Sequence, residues 1–451
     1  MQAPRFLISA AHKSSGKTVV STGLAAALTA RGRQVATFKK GPDYIDPMWL
    51  GEAANGPCYN LDFNIMDRDE LKTFFARYAS PEISLIEANK GLFDGVATNG
   101  SDSNAALAKL LKLPVILVID TNGMTRGIAP LLMGYLAFDP EVNIAGIILN
   151  KVGGARHEAK LRDAVATYTD LTVIGAVHRN AKLAIGERHL GLTTPAETGA
   201  FKALISEIGS IIGDSVDLDA LEAIARAAPK IQPSPPWQSQ PKPDLKIAIA
   251  RDQAFGFYYP DDIQAFATVG AELVPFNALI DSHLPEVDGL FIGGGFPEMF
   301  TKELNANDSL RASIKAAIEA GLPTYAECGG LMYLCRNIDG VPMVGAIAAD
   351  AVMHKRPQGR GYAAFENTSA HPWCDNGGKT KAHEFHYARL ENADAPLTFA
   401  RNITRGHGVD GQQDGVIVHN TLAGFCHLRG SANDNWVAHF VDFVRAQKST
   451  K

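Results

Sequence analysis

The run Phe6-Leu7-Ile8-Ser9-Ala10-Ala11-His12-Lys13-Ser14-Ser15-Gly16-Lys17-Thr18 decides the first half of the fold. Its first five residues read as a buried strand, the next eight as a tight loop, and Val19 to Ala30 as a helix. Strand, Gly-Lys-Thr loop and helix in that order predict a phosphate-binding loop. Backbone amides cradle the phosphates of ATP, the lysine bridges β and γ, and the following hydroxyl reaches Mg²⁺. This gives Ser14, Ser15, Gly16, Lys17 and Thr18 to the nucleotide, with Ala11 where the strict pattern has glycine.

Outward from that loop, apolar strand-like runs recur at α/β intervals: Gln34 to Phe38, Ile83 to Glu87, Val115 to Asp120, Ile144 to Asn150 and Thr172 to Val177. Strands apolar on both faces predict a parallel sheet covered by helices on each side. Ligands of such sheets bind at the C-terminal strand ends, and here those ends carry acids. Asp43 and Tyr44 lie in Lys39-Lys40-Gly41-Pro42-Asp43-Tyr44-Ile45-Asp46-Pro47, Glu87 closes its strand, and Asp94 sits in Gly91-Leu92-Phe93-Asp94-Gly95. Thr18, Asp43 and Glu87 are the expected Mg²⁺ ligands. Asp43, Tyr44 and Asp94 are the residues expected to handle the substrate.

Residues 228–244 hold six prolines and no helical or strand period, which predicts a stiff linker. It separates an ATP-binding domain over 1–227 from a second α/β domain over 245–451, which opens on the strand Lys246-Ile247-Ala248-Ile249-Ala250. In the second domain a buried strand runs into Ala326-Glu327-Cys328-Gly329-Gly330 and then an apolar helix from Leu331. A cysteine on such an elbow is exposed above its sheet, and the amides after it favour a thiolate and can receive an oxyanion. Gly293-Gly294-Gly295-Phe296-Pro297-Glu298 is a second glycine turn, so Gly295 and Gly329 are the expected oxyanion donors. Far downstream, Gly424-Phe425-Cys426-His427-Leu428-Arg429 offers His427 as the base for Cys328. His383 and His386, in Ala382-His383-Glu384-Phe385-His386-Tyr387, compete for that role, but their spacing is one residue short of a zinc-binding HExxH helix.

At 451 residues the chain is too long for one core. A net charge of −5, without a Lys/Arg run, argues against nucleic acid as a partner. The longest apolar stretches fall far short of a membrane span, and the start does not read as a signal peptide. Five cysteines without CxxC spacing indicate reduced thiols, and with them a cytoplasmic protein.

Taken together these residues resemble the cobyrinic acid a,c-diamide synthase family, glutamine-dependent amidotransferases of corrinoid synthesis. The resemblance spans nearly the whole chain: the GKT loop, residues 38–47, Asn60-Leu61-Asp62, GLFDG at 91–95, Glu187-Arg188-His189-Leu190-Gly191-Leu192, IGGGFPE at 292–298, AECGG at 326–330, GRGY at 359–362 and HEFHY. It implies a dethiobiotin synthetase-like ATP domain followed by a class I glutaminase domain. It also implies Asn150 at the adenine, a tetrapyrrole carboxylic acid and glutamine as partners, and allows a homodimer. Many class I glutaminases place a Glu two residues past the histidine, whereas this chain has Arg429, which leaves the third triad member open. Phe63-Asn64-Ile65-Met66 after NLD, with Lys40 and Lys90 beside the acidic motifs, looks like the branch that amidates siroheme in dissimilatory sulfur metabolism. The macrocycle expected is therefore siroheme-like, with cobyrinic or hydrogenobyrinic acid as the other choice.

The mechanism this implies starts with attack of Cys328 on glutamine and release of ammonia through His427. A substrate carboxylate, activated as an acyl phosphate by ATP, captures that ammonia, which must travel enclosed because ammonium is not nucleophilic. A P-loop partitioning or switch ATPase is the alternative from another class, and it gives no reason for AECGG, IGGGFPE and a late histidine.

Overall fold

In the computed structural model the described residues are all except 189–190, 196–199, 237–239, 375–376, 433 and 450–451. His189 and Leu190 of the 187–192 landmark, and part of the proline-rich segment, thus lie outside the described residues. The chain forms two compact units, Met1–Pro236 and Trp237–Lys451.

In the first unit, strands and helices alternate: β1 (Arg5–Ala10), α1 (Lys17–Ala30), β2 (Val35–Lys40), α2 (Ile45–Ala54), β3 (Cys58–Leu61), α3 (Arg68–Tyr78), β4 (Ile83–Glu87), α4 (Asn104–Leu111), β5 (Val115–Asp120), α5 (Ile128–Phe138), β6 (Ile144–Val152), α6 (Ala155–Tyr168), β7 (Val173–His178), α7 (Phe201–Ser215) and α8 (Leu218–Arg226). The strands form one parallel sheet in the order β3-β2-β4-β1-β5-β6-β7. One face buries Phe38, Leu71, Phe75 and Leu117, and the other Leu24, Leu28, Trp49 and Ile208. The sheet is apolar on both sides because helices cover both, as the continuous Val/Ile/Leu runs require. Asp67 caps α3 by accepting the amides of Asp69 and Glu70. With β1 central, the phosphate loop leaves the middle of the sheet, and Lys39 of β2 pairs in register with Glu87 of β4 beside it.

The second unit carries a nine-stranded mixed sheet. Its strands are β8 (Leu245–Ala250), β9 (Ala271–Phe276), β10 (Gly289–Ile292), β11 (Thr324–Glu327), β12 (Gly359–Asn367), β13 (Lys379–His386), β14 (Thr398–Arg405), β15 (Gln413–Val418) and β16 (Thr421–Gly424). The order is β9-β8-β10-β11-β16-β15-β14-β12-β13; the first five run parallel and the last four add on antiparallel. Around it lie α9 (Pro260–Thr268), α10 (Asp308–Glu319), α11 (Gly329–Leu334) and α12 (Trp436–Ser449). Phe291 stacks on Tyr325 at 5.7 Å, and Trp436 and Phe440 of α12 close the same aromatic layer. The Tyr325 ring is thereby held rigidly under the end of β11.

The helix that carries the phosphate loop crosses α7 without clearance: a Cβ at Gly23 would lie 2.3 Å from Ile212 Cγ1. A β-branched side chain there must push the helices apart. Gly23→Val is expected to destabilise the first unit by about 1–3 kcal/mol. Calorimetry should show its melting transition fall while that of the second unit stays in place.

Candidate active sites

The second unit's site is built where two neighbouring parallel strands end. β11 stops at Glu327, and Cys328 takes φ 49°, ψ −102°, a strained turn for a residue with a side chain. The Cys328 amide donates to Gly424 O at 2.7 Å, which pins the elbow to β16. Both following glycines are demanded by crowding: a Cβ on Gly330 would lie 2.3 Å from Ile292 O, and one on Gly329 3.0 Å from Gly295 O. The backbones of Gly295 and Gly329, the two expected oxyanion donors, therefore meet beside the thiol. Cys328 Sγ is 3.9 Å from Phe385 O, so β13 walls the site on another side.

β16 leads directly into His427, which is buried. Its Nδ1 lies 3.4 Å from Glu327 Oε2. Burial works to lower the imidazole pKa, but hydrogen bonds to Cys328 and Glu327 and the charges on both outweigh it and push the value up to about 10. The ring is thus disposed to carry the proton. His383 stacks on it with centroids 4.9 Å apart and exchanges backbone hydrogen bonds with it, His427 N to His383 O at 2.8 Å. Burial first, then the positive charges of His427 and Arg429, hold His383 well below the ordinary range, which makes it a neutral wall. His386 turns elsewhere: its Nδ1 is 2.9 Å from Ala388 O and its ring lies flat on Phe425 at 3.9 Å. Of the three histidines, His427 is the one the fold brings to Cys328. Arg429 points away, with Nη2 3.1 Å from Asp261 Oδ2.

In the first unit the phosphate loop turns through Ser14 at φ 64° and Gly16 at φ 82°. Ser15 Oγ donates to His12 O at 2.8 Å, which tightens the loop. Asn150, at the edge of β6, donates its side-chain amide to Ser15 O at 2.8 Å and accepts the Lys151 amide, so it straps the loop to the sheet. The Thr18 hydroxyl reaches Glu87 Oε1 at 2.9 Å and Asp46 Oδ2 at 3.2 Å. Lys39 Nζ sits among the same acids, 2.5 Å from Asp46, 2.7 Å from Glu87 and 3.8 Å from Asp43. Burial acts to lower the Lys39 pKa, yet the three acids raise it well above the ordinary range. Asp43 is pushed up to about 7, by burial first and then by the charge of Asp46. Its Oδ1 accepts the amides of Ile45 and Asp46, which start α2. Asp94 accepts the Gly91 amide at 2.9 Å, and Tyr44 stands immediately before the first residue of α2.

Among the described residues no group of three or more His, Cys, Asp or Glu is placed to hold a metal by itself. A hydroxyl and one or two carboxylates do suit Mg²⁺ when phosphate oxygens complete its shell. Thr18 with Glu87 meets that description, and the buried Glu87 Oε2 makes no hydrogen bond. Three side chains that the fold brings to these sites escaped the sequence reading. Lys39 and Asp46 were visible in the FKKGPDYIDP run, and Glu327 in AECGG, but no spacing rule marks which acids converge.

Residues 7–192 match the CobQ/CobB/MinD/ParA nucleotide binding domain, and residues 246–435 match the CobB/CobQ-like glutamine amidotransferase domain. The chain is 43% identical to a cobyrinate a,c-diamide synthase of Magnetococcus marinus, over 99% of this chain and 98% of that one. It is 40% identical to the protein of the same name from Methanosarcina acetivorans, over 95% and 93% of the two chains. A third such protein, from Dehalococcoides mccartyi, is 38% identical over 98% of both.

The His427 ring leaves no room beside Gly294, where a Cβ would stand 2.6 Å from His427 Cε1. Gly294→Ala is expected to displace the ring and slow the alkylation of Cys328 by iodoacetamide about tenfold or more. Peptide mass analysis should show this, with the half-buried Cys374 reacting at its unchanged rate as an internal control.

Proposed function

The chain belongs to the cobyrinate a,c-diamide synthase family, and from that premise we propose that it amidates the peripheral acetate carboxylates of a modified tetrapyrrole, using ATP and glutamine. It is a glutamine-hydrolysing carbon–nitrogen ligase. The observation that carries the reading is the union, in one chain, of Cys328 paired with a buried His427 and a Gly-Lys-Thr loop whose threonine reaches the buried Glu87.

In the second unit, Cys328 attacks the amide carbon of glutamine. His427 takes the thiol proton and returns it to the departing ammonia, while the amides of Gly295 and Gly329 face the oxyanion. Water then hydrolyses the thioester to glutamate. In the first unit, a substrate carboxylate attacks the γ-phosphate of ATP, and ADP leaves. The acyl phosphate that forms has a good leaving group, and ammonia displaces it as phosphate. Ser14, Ser15, Gly16 and Lys17 hold the nucleotide phosphates, Asn150 borders its site, and Asp43, Tyr44 and Asp94 face the substrate. Thr18 and Glu87, with Asp43 on the adjoining loop and Asp46 in the first turn of α2, would hold Mg²⁺, whose charge offsets that of the γ-phosphate. Lys39 keeps these acids compensated when the site is empty.

The macrocycle is read as siroheme-like from Lys40 and Lys90. Lys40 is buried, and burial, aided by the charge of nearby Lys90, lowers its pKa to about 8. The charges of Asp102 and Asp62 oppose that lowering without cancelling it, and this pair of lysines is read as the corner that meets a carboxylate of the substrate.

Purified protein given ATP, glutamine and either siroheme or cobyrinic acid should convert carboxylates to amides, measured by product mass. Cobyrinic acid consumed in preference to siroheme would overturn the choice of macrocycle, and no amide from either would overturn the function. Cys328→Ala should abolish amidation from glutamine and leave amidation from ammonium chloride. Lys17→Ala should lower both by about a hundredfold or more.

A further inference from the structure

A cysteine–histidine pair needs a third group that fixes the imidazole and meets its charge when it takes the thiol proton. Two residues past His427 stands Arg429, turned to Asp261. On the other side of the ring, the residue immediately before the nucleophile presents a carboxylate. Glu327 is 3% exposed, and its Oε2 lies 3.4 Å from His427 Nδ1.

The other oxygen of that carboxylate is held on two sides. Tyr325 and Glu327 are alternate residues of β11 and share a face, and the Tyr325 hydroxyl donates to Glu327 Oε1 at 2.7 Å. The Leu428 amide, next to the histidine, donates to the same oxygen at 2.8 Å. Behind Tyr325 stands Arg401, fully buried, 3.5 Å from the phenol oxygen and 3.3 Å from Asp414 Oδ2. Asp414 in turn accepts the amides of Phe425 and Cys426, the residues that lead β16 into His427. The chain of contacts Asp414–Arg401–Tyr325–Glu327–His427 closes on itself through the backbone, so neither the acid nor the ring can turn independently.

We propose that Glu327 is the positioning carboxylate of the thiol–imidazole pair, in the role that a residue after the histidine fills elsewhere. This rests on the glutaminase reading above. As Cys328 gives its proton to His427, the new positive charge on the ring is met by Glu327, and the tautomer with Nδ1–H is fixed. The proton then goes to the leaving nitrogen and the ring returns to neutral; Glu327 exchanges no proton. The charged or titratable groups around the ring are Cys328, Glu327, the stacked neutral His383 and, beyond it, Arg429. Glu327 and Cys328 are the two whose charge favours the protonated ring.

Glutaminase kcat and KM should be followed across pH for the full chain with Glu327→Gln, Tyr325→Phe and Cys328→Ala. The melting transition of the second unit, which holds all three positions, serves to report folding. Glu327→Gln is expected to lower glutaminase kcat about a hundredfold or more, with KM for glutamine nearly unchanged. The pH limb that reports His427 should move to lower pH, because the anion that favours imidazolium is gone. Tyr325→Phe keeps the carboxylate but frees it, and should give a smaller loss with a limb shifted the same way. If Glu327→Gln fails to fold, the limb in Tyr325→Phe decides alone. Wild-type kcat and an unmoved limb in the variant that folds would overturn the role of Glu327. Glutaminase surviving in Cys328→Ala would instead overturn the glutaminase reading itself.

Discussion

Everything in the second unit's site depends on the backbone of Cys328 being held at φ 49°, ψ −102°. An L-residue adopts such a conformation only where its surroundings over-determine it. Here the Cys328 amide is tied to β16, the Cys328 carbonyl accepts the Met332 amide, and the two glycines that follow let Ile292 and Gly295 approach within contact. The thiol, the His427 ring and the flanking amides are thus fixed by the same few backbone contacts.

The first unit solves a different problem, that of gathering three acids, one of them fully buried, beside a phosphate loop. Glu87 is fully buried and burial raises its pKa. Without a cation, desolvation would leave Glu87 protonated or the region open. Lys39 reaches Asp46 and Glu87 from the neighbouring strand at 2.5 and 2.7 Å, a placement the in-register pairing of β2 and β4 makes unavoidable. The charge of Lys39 also helps lower the pKa of Lys17 to about 8, after burial, the larger cause. Each lysine thereby feels the phosphates as a relief of mutual repulsion, and the site is electrostatically ready for an anion before one arrives.

The parts legible in the sequence are those whose geometry is local. The phosphate loop, the cysteine elbow and the glycine turn at 293–295 each lie within a dozen residues, where strand period and turn chemistry fix the backbone. His427 could be named as the base only as one of three histidines, because stacking against His383 and pairing with Glu327 arise from strands over forty residues apart. Asp46 shows the same limit. It stands in the FKKGPDYIDP run, yet which acid of that run reaches Thr18 is set by where α2 begins, and Asp43 turns to cap that helix while Asp46 faces the hydroxyl. Lys39 read as one of two adjacent lysines. Strand alternation sends its side chain and that of Lys40 to opposite faces, one into the acids and the other toward Asn89.

Placing a carboxylate on the nucleophile's strand and not on the histidine's changes what the cation at 429 can do. A carboxylate after the histidine would ride on the same segment as the ring it orients, and would follow its every movement. Glu327 instead adjoins the thiol, so nucleophile and carboxylate belong to one rigid strand end, with His427 clamped between that end and His383. Position 429 then takes a second task. Its guanidinium lies 4.8 Å over the Tyr259 ring and beside Asp261, and the Tyr259 hydroxyl is 3.5 Å from His383 Nδ1. The positive charge there works with burial to keep His383 neutral. A neutral His383 is what allows two imidazoles to stack at 4.9 Å while only one of them carries a proton. An acid at 429 would attract that proton to the wrong ring, so the arginine and the displaced carboxylate are two halves of one arrangement.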